Sequence, residues 1–414
     1  MSKWPLTLRG TGAVILAIAC FLLAHEFKIA ELLYVCVLLL AVVAASVLTV
    51  YLVGRSESVT RSFSPDGVTV GRTVRVRLQV TVRSALPTAQ GVWREHLPAG
   101  LEGEAAGVFP ALSSATGTRF EAVELDYEID AVRRGIRSVG PLTVTSTDPF
   151  GFARRRHTVG APVAVTVAPA VVDLGAVSDL PGEAGGSVHT STNQLGQGAD
   201  NLVPRHYVPG DSMRRIHWRA SAHRDQLMVR QEEQETTPEA IVVLDRGVHR
   251  WTAEAFRAPG EDPGFEEAVS AAISVVARLV HEGFAVHLID VDGTEIGESV
   301  QAHDTAGVEA LAADLATTVA RRDLPLEPLV RRFHGSMTGP FVLITGRVDQ
   351  ADAEVLAPLA HHSALPVLLA VAPQHDALDL AARAGWHTAA VHPGGDLAAA
   401  WAAAVDRGAT RVEA

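Results

Sequence analysis

Hydrophobic and polar positions change rhythm twice along this chain, and the three stretches predict three architectures. The first fifty-odd positions are almost continuously apolar. Gly10 to Ala24 is an uncharged run, extendable back through Leu8 and Leu6, and Leu32 to Val53 is a second run rich in Leu, Val and Ala. About 20 apolar residues suffice to cross the hydrocarbon core of a bilayer, and a buried core helix rarely runs so far without a polar face. His25 to Glu31, with Glu26, Lys28 and Glu31, separates the two runs. Residues 1–55 are therefore predicted to form a transmembrane helical hairpin. Lys3 and Arg9 precede it, Arg55 and Arg61 follow it, and only Lys28 lies between. Retention of basic flanks inside the cell puts both ends, and the body that follows, on the cytoplasmic face of the cell membrane. Two alternatives stand beside this reading: a cleaved signal peptide, or a lipoprotein site at Ala17-Ile18-Ala19-Cys20. Either places the body outside.

From Val68 the period becomes two. Val74, Val76, Leu78, Val80 and Val82 alternate with Arg75, Arg77, Gln79, Thr81 and Arg83, and Val123, Leu125, Tyr127 and Ile129 alternate with Glu124, Asp126 and Glu128. Such alternation marks strands with one buried face. Further short runs at Gly91 to Leu97, Ile136 to Thr145 and Val163 to Val167 are punctuated by Leu97-Pro98-Ala99-Gly100, Arg134-Gly135 and Gly140-Pro141. The pattern predicts an all-β antiparallel sandwich over 59–170. Residues 171–200 are rich in Gly, Ser, Thr and Asn and read as a linker or loop.

After Pro238 apolar strands alternate with amphipathic helices. Strands are expected at Ile241 to Leu244, Phe284 to Asp290, Phe341 to Thr345, Pro366 to Ala372 and His387 to Val391. Helices are expected at Phe265 to Glu282, Val308 to Arg321, Ala351 to Ala360 and Leu397 to Val405. The alternation predicts an α/β domain over 240–410 with a mostly parallel sheet covered on both faces. Ligands bind beyond the carboxyl ends of strands in such sheets, where Asp245, Asp290 and Thr345 would stand.

Composition narrows the function. The formal net charge is −12, which gives the molecule no overall footprint for nucleic acid. Cys20 and Cys36 are the two cysteines and both fall in the apolar runs, so the body has no disulfide framework or thiolate metal site. G-x-S-x-G, H-E-x-x-H, phosphate-loop and G-x-G-x-x-G motifs are all missing. The expectation is a protein without enzymatic activity or cofactor.

The densest cluster of chemistry lies at 201–239. Arg205-His206-Tyr207-Val208-Pro209-Gly210-Asp211 is followed by Arg214-Arg215-Ile216-His217-Trp218-Arg219-Ala220-Ser221-Ala222. Pro209-Gly210-Asp211 reads as a turn whose Asp caps the next helical turn. Arg215 and Trp218 would share a helix face, with Trp218 buried. In one reading these residues form a packed lock between the two domains. In the other, Arg205, Arg214, Arg219 and Arg230 form an anion or partner surface, because guanidinium forks suit phosphate and carboxylate.

Tyr207, Pro209, Gly210, Asp211, Arg215 with Arg214 beside it, Ile216, Trp218, Ser221 and Ala222 together resemble the Y-x-P-G-D-x-x-R-x-I-x-W-x-x-[ST]-A signature of the domain of unknown function 58 family. Asp148-Pro149-Phe150-Gly151-Phe152 is similar to its D-P-F-G element. The resemblance implies a membrane-anchored protein with a von Willebrand A-like (Rossmann-like) C-terminal domain. It also implies a role as a scaffold or interaction partner, plausibly of a MoxR-type AAA+ ATPase. Von Willebrand A-like domains can hold Mg²⁺ through D-x-S-x-S and a distant Thr and Asp. Here Asp245 keeps the first position, while Gly247 and His249 replace the serines and Thr345-Gly346 replaces the D-G pair. Asp245 is thus the single candidate ligand, and no metal is expected. Two alternative functions remain open at this point: a metal-dependent adhesion module or enzyme using Asp245, and a binder of anionic lipid surfaces through the arginines.

Overall fold

The computed structural model describes every residue outside 1–3, 52–54, 66, 85–86, 88, 115–120, 178–201, 208–212, 214–215, 225, 233–237, 323–324, 335–337 and 410–414. The apolar runs form helices α1 (Leu8–Phe27) and α2 (Ala30–Tyr51), both long and apolar enough to cross a membrane. Small side chains line the seam between them: Gly10, Ala13, Ala17 and Cys20 on α1 are buried, as are Cys36, Val43, Ser46 and Val50 on α2. Small residues at three- and four-residue spacing let two backbones approach closely. Ile15, Leu22, Val37 and Leu38 face outward instead, each more than half exposed. Exposed apolar surface on this scale needs an apolar solvent or partner.

The period-two segment forms β1 (Arg55–Ser64), β2 (Val68–Thr69), β3 (Thr73–Ser84), β4 (Gly91–Glu95), β5 (Leu101–Glu102) and β6 (Ala106–Phe109), followed by β7 (Glu121–Ala131), β8 (Gly135–Val139), β9 (Leu142–Thr147), β10 (Arg154–Val159) and β11 (Val163–Ala168). They build three sheets, ordered β1-β3-β7-β5, β10-β9-β4-β6 and β2-β11-β8. Every pairing is antiparallel except the two-residue contact of β2 with β11, which is parallel. Leu78 faces Leu125 and Val80 faces Val123 across β3 and β7, and side chains from all three sheets share one core. Each buried Val or Leu stabilises this core by about 1.5–3 kcal/mol. The core also encloses a charge. Glu95 accepts from Arg61 at 2.6 Å and from the Tyr127 hydroxyl at 2.5 Å, and burial together with this carboxylate raises the Tyr127 phenol above its usual range.

The hairpin is seated on this strand-rich body by the loop between β9 and β10. Asp148 folds the loop: its carboxylate accepts the Phe150 amide at 2.9 Å and the Ala153 amide at 2.6 Å. The Thr7 hydroxyl donates to the Gly151 carbonyl at 2.5 Å while accepting the Gly10 amide at 3.1 Å, which caps α1. The Thr7 amide donates to Phe152 O at 2.9 Å, and the Arg154 amide to Pro5 O at 2.8 Å. Gly10 lies so close that a Cβ there would fall 2.1 Å from Phe152 O. The end of α2 meets the same loop, through the Tyr51 hydroxyl on Arg154 O and Arg155 on Val50 O.

The remaining chain forms β12 (Leu202–His206), α3 (Trp218–Arg224), β13 (Met228–Glu232), β14 (Glu239–Leu244), α4 (Glu254–Arg257), α5 (Pro263–His281), β15 (Ala285–Ile289) and α6 (Thr305–Leu315), then α7 (Glu327–Phe333), β16 (Thr338–Val348), α8 (Gln350–Leu356), β17 (Ser363–Pro373), α9 (Ala377–Arg383), β18 (His387–Ala390) and α10 (Leu397–Ala409). β14 to β18 form one sheet, all parallel, in the order β15-β14-β16-β17-β18. The expected α/β region is therefore present. β12 and β13 form a separate antiparallel ribbon. Of the predicted linker, 178–200 lies outside the described residues, and 171–177 carries neither helix nor strand.

Two compact units divide the chain. One holds Met1–Ala170 with Trp251–Ser270 and Ala312–Arg321; the other holds Val171–Arg250, Ala271–Leu311 and Arg322–Ala414. Within the first, Arg134 is fully buried. Its fork grips Glu266 at 2.5 and 2.9 Å and donates to the carbonyls of Leu315 and Thr318, with the guanidinium 5.4 Å from the Phe265 ring. All three nitrogens of the group thus donate. Removing one partner of such a pair strands a buried charge, at a cost of roughly 3–5 kcal/mol. Arg134→Ala is expected to lower the melting temperature of the detergent-solubilised chain markedly, whereas Arg75→Ala, in an exposed pair with Glu128, is expected to shift it little.

Candidate functional site

In the parallel sheet the first strand in the chain, β14, lies between the second and third, β15 and β16. The chain therefore leaves β14 toward one edge and later returns to build outward from its other side. Such a reversal opens a crevice at the carboxyl ends of the two central strands, the usual ligand position in an open α/β sheet. Asp245 and Thr345 stand there, as the sequence predicts, and they meet: the Thr345 hydroxyl donates to Asp245 Oδ2 at 2.8 Å. Asp290 stands at the end of the neighbouring strand β15.

The crevice is filled by the chain's own cations. Asp245 is completely buried, and Arg250, 5% exposed, brings Nε to 2.5 Å from Asp245 Oδ2. The same guanidinium reaches Asp352 of α8 at 2.8 Å through Nη1. The Gly247 amide donates to Asp245 Oδ1 at 2.9 Å. Beside this group Arg246 Nε donates to Asp290 Oδ2 at 2.8 Å, and the Val291 amide to Asp290 Oδ1 at 2.8 Å. Burial pushes the Asp245 carboxyl up from its usual range; Arg250, the Gly247 amide and Thr345 act against that shift. The short turn Val248–Arg250 after β14 swings Arg250 back over the strand end. A hard cation needs several clustered oxygen ligands. Asp245 instead has a guanidinium, a hydroxyl and an amide on its oxygens. Among the described residues no group of three or more His, Cys, Asp or Glu could hold a metal. The residues present do not fit the Mg²⁺ site the resemblance brings to mind. Arg250 was not singled out from the sequence. The signal was there: two arginines within five residues of an acid that ends a fully apolar strand.

The signature region divides differently. Pro209, Gly210, Asp211, Arg214 and Arg215 lie outside the described residues. Tyr207 is half-buried, with its amide on Leu227 O at 2.8 Å. Ile216 is buried and bridges Val229, so the chain is extended there and α3 begins only at Trp218. The helix face expected to join Arg215 to Trp218 falls on a residue outside the described ones. Ser221 is structural: its hydroxyl donates to His217 O at 3.0 Å and accepts the Met228 amide at 2.8 Å, tying α3 to β13. Trp218, expected to be buried, is 67% exposed, with Arg219, His223 and Arg224 exposed on the same short helix. The reason is geometric. Ile216 and Ser221 take the inward positions, and a seven-residue helix has one inward face. His217, Arg219, Ala222 and His223 line an open depression beside it. Of the remaining predicted anion ligands, Arg205 stands opposite Val229 in the β12–β13 ribbon, and Arg230 opposite Pro204.

If Arg250 is what neutralises the crevice, Arg250→Ala is expected to destabilise the chain by about 3–5 kcal/mol. The double change Asp245→Asn with Arg250→Met is expected to recover much of that loss, read by chemical denaturation. Millimolar Mg²⁺, Mn²⁺ or Ca²⁺ is expected to leave the wild-type melting temperature unchanged, because a ligand that binds only the folded state must raise it.

No curated protein sequence matches the chain. Among solved structures, it is similar to the CARDB domain of the PF1109 protein from Pyrococcus furiosus, in complex with di-metal ions. That match has 15% identity, covers 27% of this chain and 93% of that one, and has a TM-score of 0.20. The putative ApaA protein from Bordetella pertussis matches with 12% identity, 28% and 94% coverage and a TM-score of 0.18. A putative beta-galactosidase from Bacteroides fragilis matches with 9% identity, 81% and 38% coverage and a TM-score of 0.19. Residues 204–295, which run from the signature region through β15, match the family model described as "Protein of unknown function DUF58", and this match supports the family resemblance that the signature residues carry.

Proposed function

We propose that this chain is a membrane-anchored interaction protein without catalytic activity, whose partner docks on the signature helix. In this reading α1 and α2 span the cell membrane, the β body is an antiparallel sandwich, and the parallel sheet is a von Willebrand A-like domain that keeps the frame but uses no metal. The body lies on the cytoplasmic side, supported by Arg9 and Arg61 outside the spans against Lys28 alone between them. The partner implied by the family resemblance is a MoxR-type AAA+ ATPase.

One observation carries the docking reading. Among the described side chains of the signature, Ser221 is spent on hydrogen bonds, whereas Trp218 presents its indole to solvent at 67% exposure, flanked by Arg219. Tryptophan and arginine dominate the energetic centres of protein interfaces, and an exposed Trp brings no benefit to a free α3. The crevice over the sheet, which a small ligand or metal would use, is already filled by Arg250, and this weighs against the metal-dependent alternative. The lipid alternative requires the arginines to act together. Of Arg205, Arg214, Arg219 and Arg230, Arg219 has a described, exposed side chain, which is less support than Trp218 gives.

Trp218→Ala is expected to weaken co-purification of the ATPase from detergent-solubilised membranes, corresponding to a loss of about 30-fold or more in affinity for a hot-spot residue worth about 2 kcal/mol. Arg77→Ala, a solvent-facing change elsewhere, is expected to leave it intact. Equal recovery with Trp218→Ala would overturn the docking reading. Sidedness has its own check: protease should reach the body in inverted vesicles and spare it in intact spheroplasts.

A further inference from the structure

The loop 148–153 does more than hold the start of α1. Its tip projects Phe150, 63% exposed, with its ring 6.4 Å from that of Phe152 and nearly parallel to it. Nothing in the protein's energetics favours leaving a phenylalanine in water here. The loop does not need its side chain, because the Asp148 carboxylate and backbone hydrogen bonds already fix it. What distinguishes this position is where it lies. The start of α1 and the end of α2 both bond to residues 151–155. The loop tip is therefore at the level where both apolar helices finish. Trp4, 57% exposed, and Tyr51, 44% exposed and under the Arg155 guanidinium at 5.8 Å, lie at the same level. Exposed Arg9, Arg154 and Arg156 complete the set. Aromatic rings flanked by arginine are what a bilayer selects at its boundary between acyl chains and headgroups.

We propose that Phe150 is inserted into the acyl–headgroup boundary of the bilayer, so that the strand-rich body is held against the membrane by its own loop. The occupant of this surface is lipid. Continuity with the two spans argues for it, since a protein partner there would have to displace lipid at the ends of α1 and α2. The inference rests on the reading that α1 and α2 span a membrane, and it goes further: a body joined only by a linker would hang free in water, whereas this one has a fixed height and tilt. Thr7, Gly10 and the loop carbonyls supply the rigidity, and Phe150 supplies a contact with lipid that the spans themselves do not make.

The test uses the full chain in vesicles that contain phospholipid brominated either just below the headgroup or near the chain ends. Three variants are compared with wild type for the extra tryptophan fluorescence each adds: Phe150→Trp, Leu38→Trp on the outward face of mid-α2, and Val108→Trp. Val108 is 57% exposed on β6, three strands away from β10 in their sheet. Three inter-strand spacings of about 4.8 Å separate it from the loop's strand. The expected result is strong quenching of the Phe150→Trp signal by the shallow bromines and little by aqueous iodide. Leu38→Trp should respond to the deep bromines, and Val108→Trp to iodide alone. If Leu38→Trp is quenched by bromine while Phe150→Trp behaves like Val108→Trp, the boundary insertion is wrong and the spans stand. If Leu38→Trp also escapes the bromines, the membrane reading and this inference fall together. The Phe150 side chain lies outside the core, so its replacement by Trp removes no buried contact.

Discussion

A fully buried carboxylate at the head of a parallel sheet must be neutralised, and most of what this protein can and cannot do follows from how Asp245 meets that demand. Three solutions are open to such a group: a proton, a metal ion or a fixed cation. The chain supplies the third. Arg250 comes from the turn five residues on and also engages Asp352 from α8, so one guanidinium ties the end of β14 to the helix that follows β16. The crevice where open α/β sheets place their ligands becomes part of the core. A domain arranged this way retains surfaces but has little interior chemistry, which shifts attention from the sheet to the elements around it.

The same logic of satisfied burial recurs in the other unit. Arg134 is as enclosed as Asp245, and all three of its guanidinium nitrogens donate, to Glu266 and to the carbonyls of Leu315 and Thr318. Arg61, Glu95 and Tyr127 form a third closed set inside the strand-rich body. The charged groups of each set face an opposite charge at close range. Buried ion pairs of this kind contribute little net stability, and breaking one is costly. They act as constraints on which packing is allowed.

How far the sequence could be read follows the distance over which each feature is determined. The helices of the hairpin, the period-two strands β3 and β7, and the alternation from β14 onward are set by neighbours within one segment and appear where their patterns lie, except that the helix expected over Val308 to Arg321 ends at Leu315. Asp245, Asp290 and Thr345 could be placed at strand ends for the same reason. Gly140-Pro141 correctly divides one apolar run into β8 and β9. What failed was non-local. Arg134 looked like turn punctuation beside Gly135, because its partners lie more than 130 residues away. Arg250 looked like one more surface arginine. Trp218 was assigned to the interior because tryptophan usually is, but its neighbours Ile216 and Ser221 had already claimed the inward positions. The sequence pattern assigns no strand to the β12–β13 ribbon, whose pairs join segments on either side of α3.

Trp218 and Phe150 gain meaning from being set against these closed networks. Both are aromatic side chains more than half exposed. Both occur within the two short motifs that the family resemblance singles out. In each motif the acid, glycine or hydroxyl residues whose side chains are described have local structural duties: Asp148 folds its loop, and Ser221 ties helix to ribbon. Those duties account for the shape of the motif and leave the aromatic unexplained by folding. An aromatic held out in a fixed position by neighbours already committed to supporting it is a prepared contact, with its ordering entropy lost in advance of binding. One such contact sits where two apolar helices end and is proposed to meet lipid. The other sits on a short basic helix of the second unit and is proposed to meet a protein. On this view the chain's function is positional: it fixes one body at a membrane and offers a partner a single rigid point of attachment.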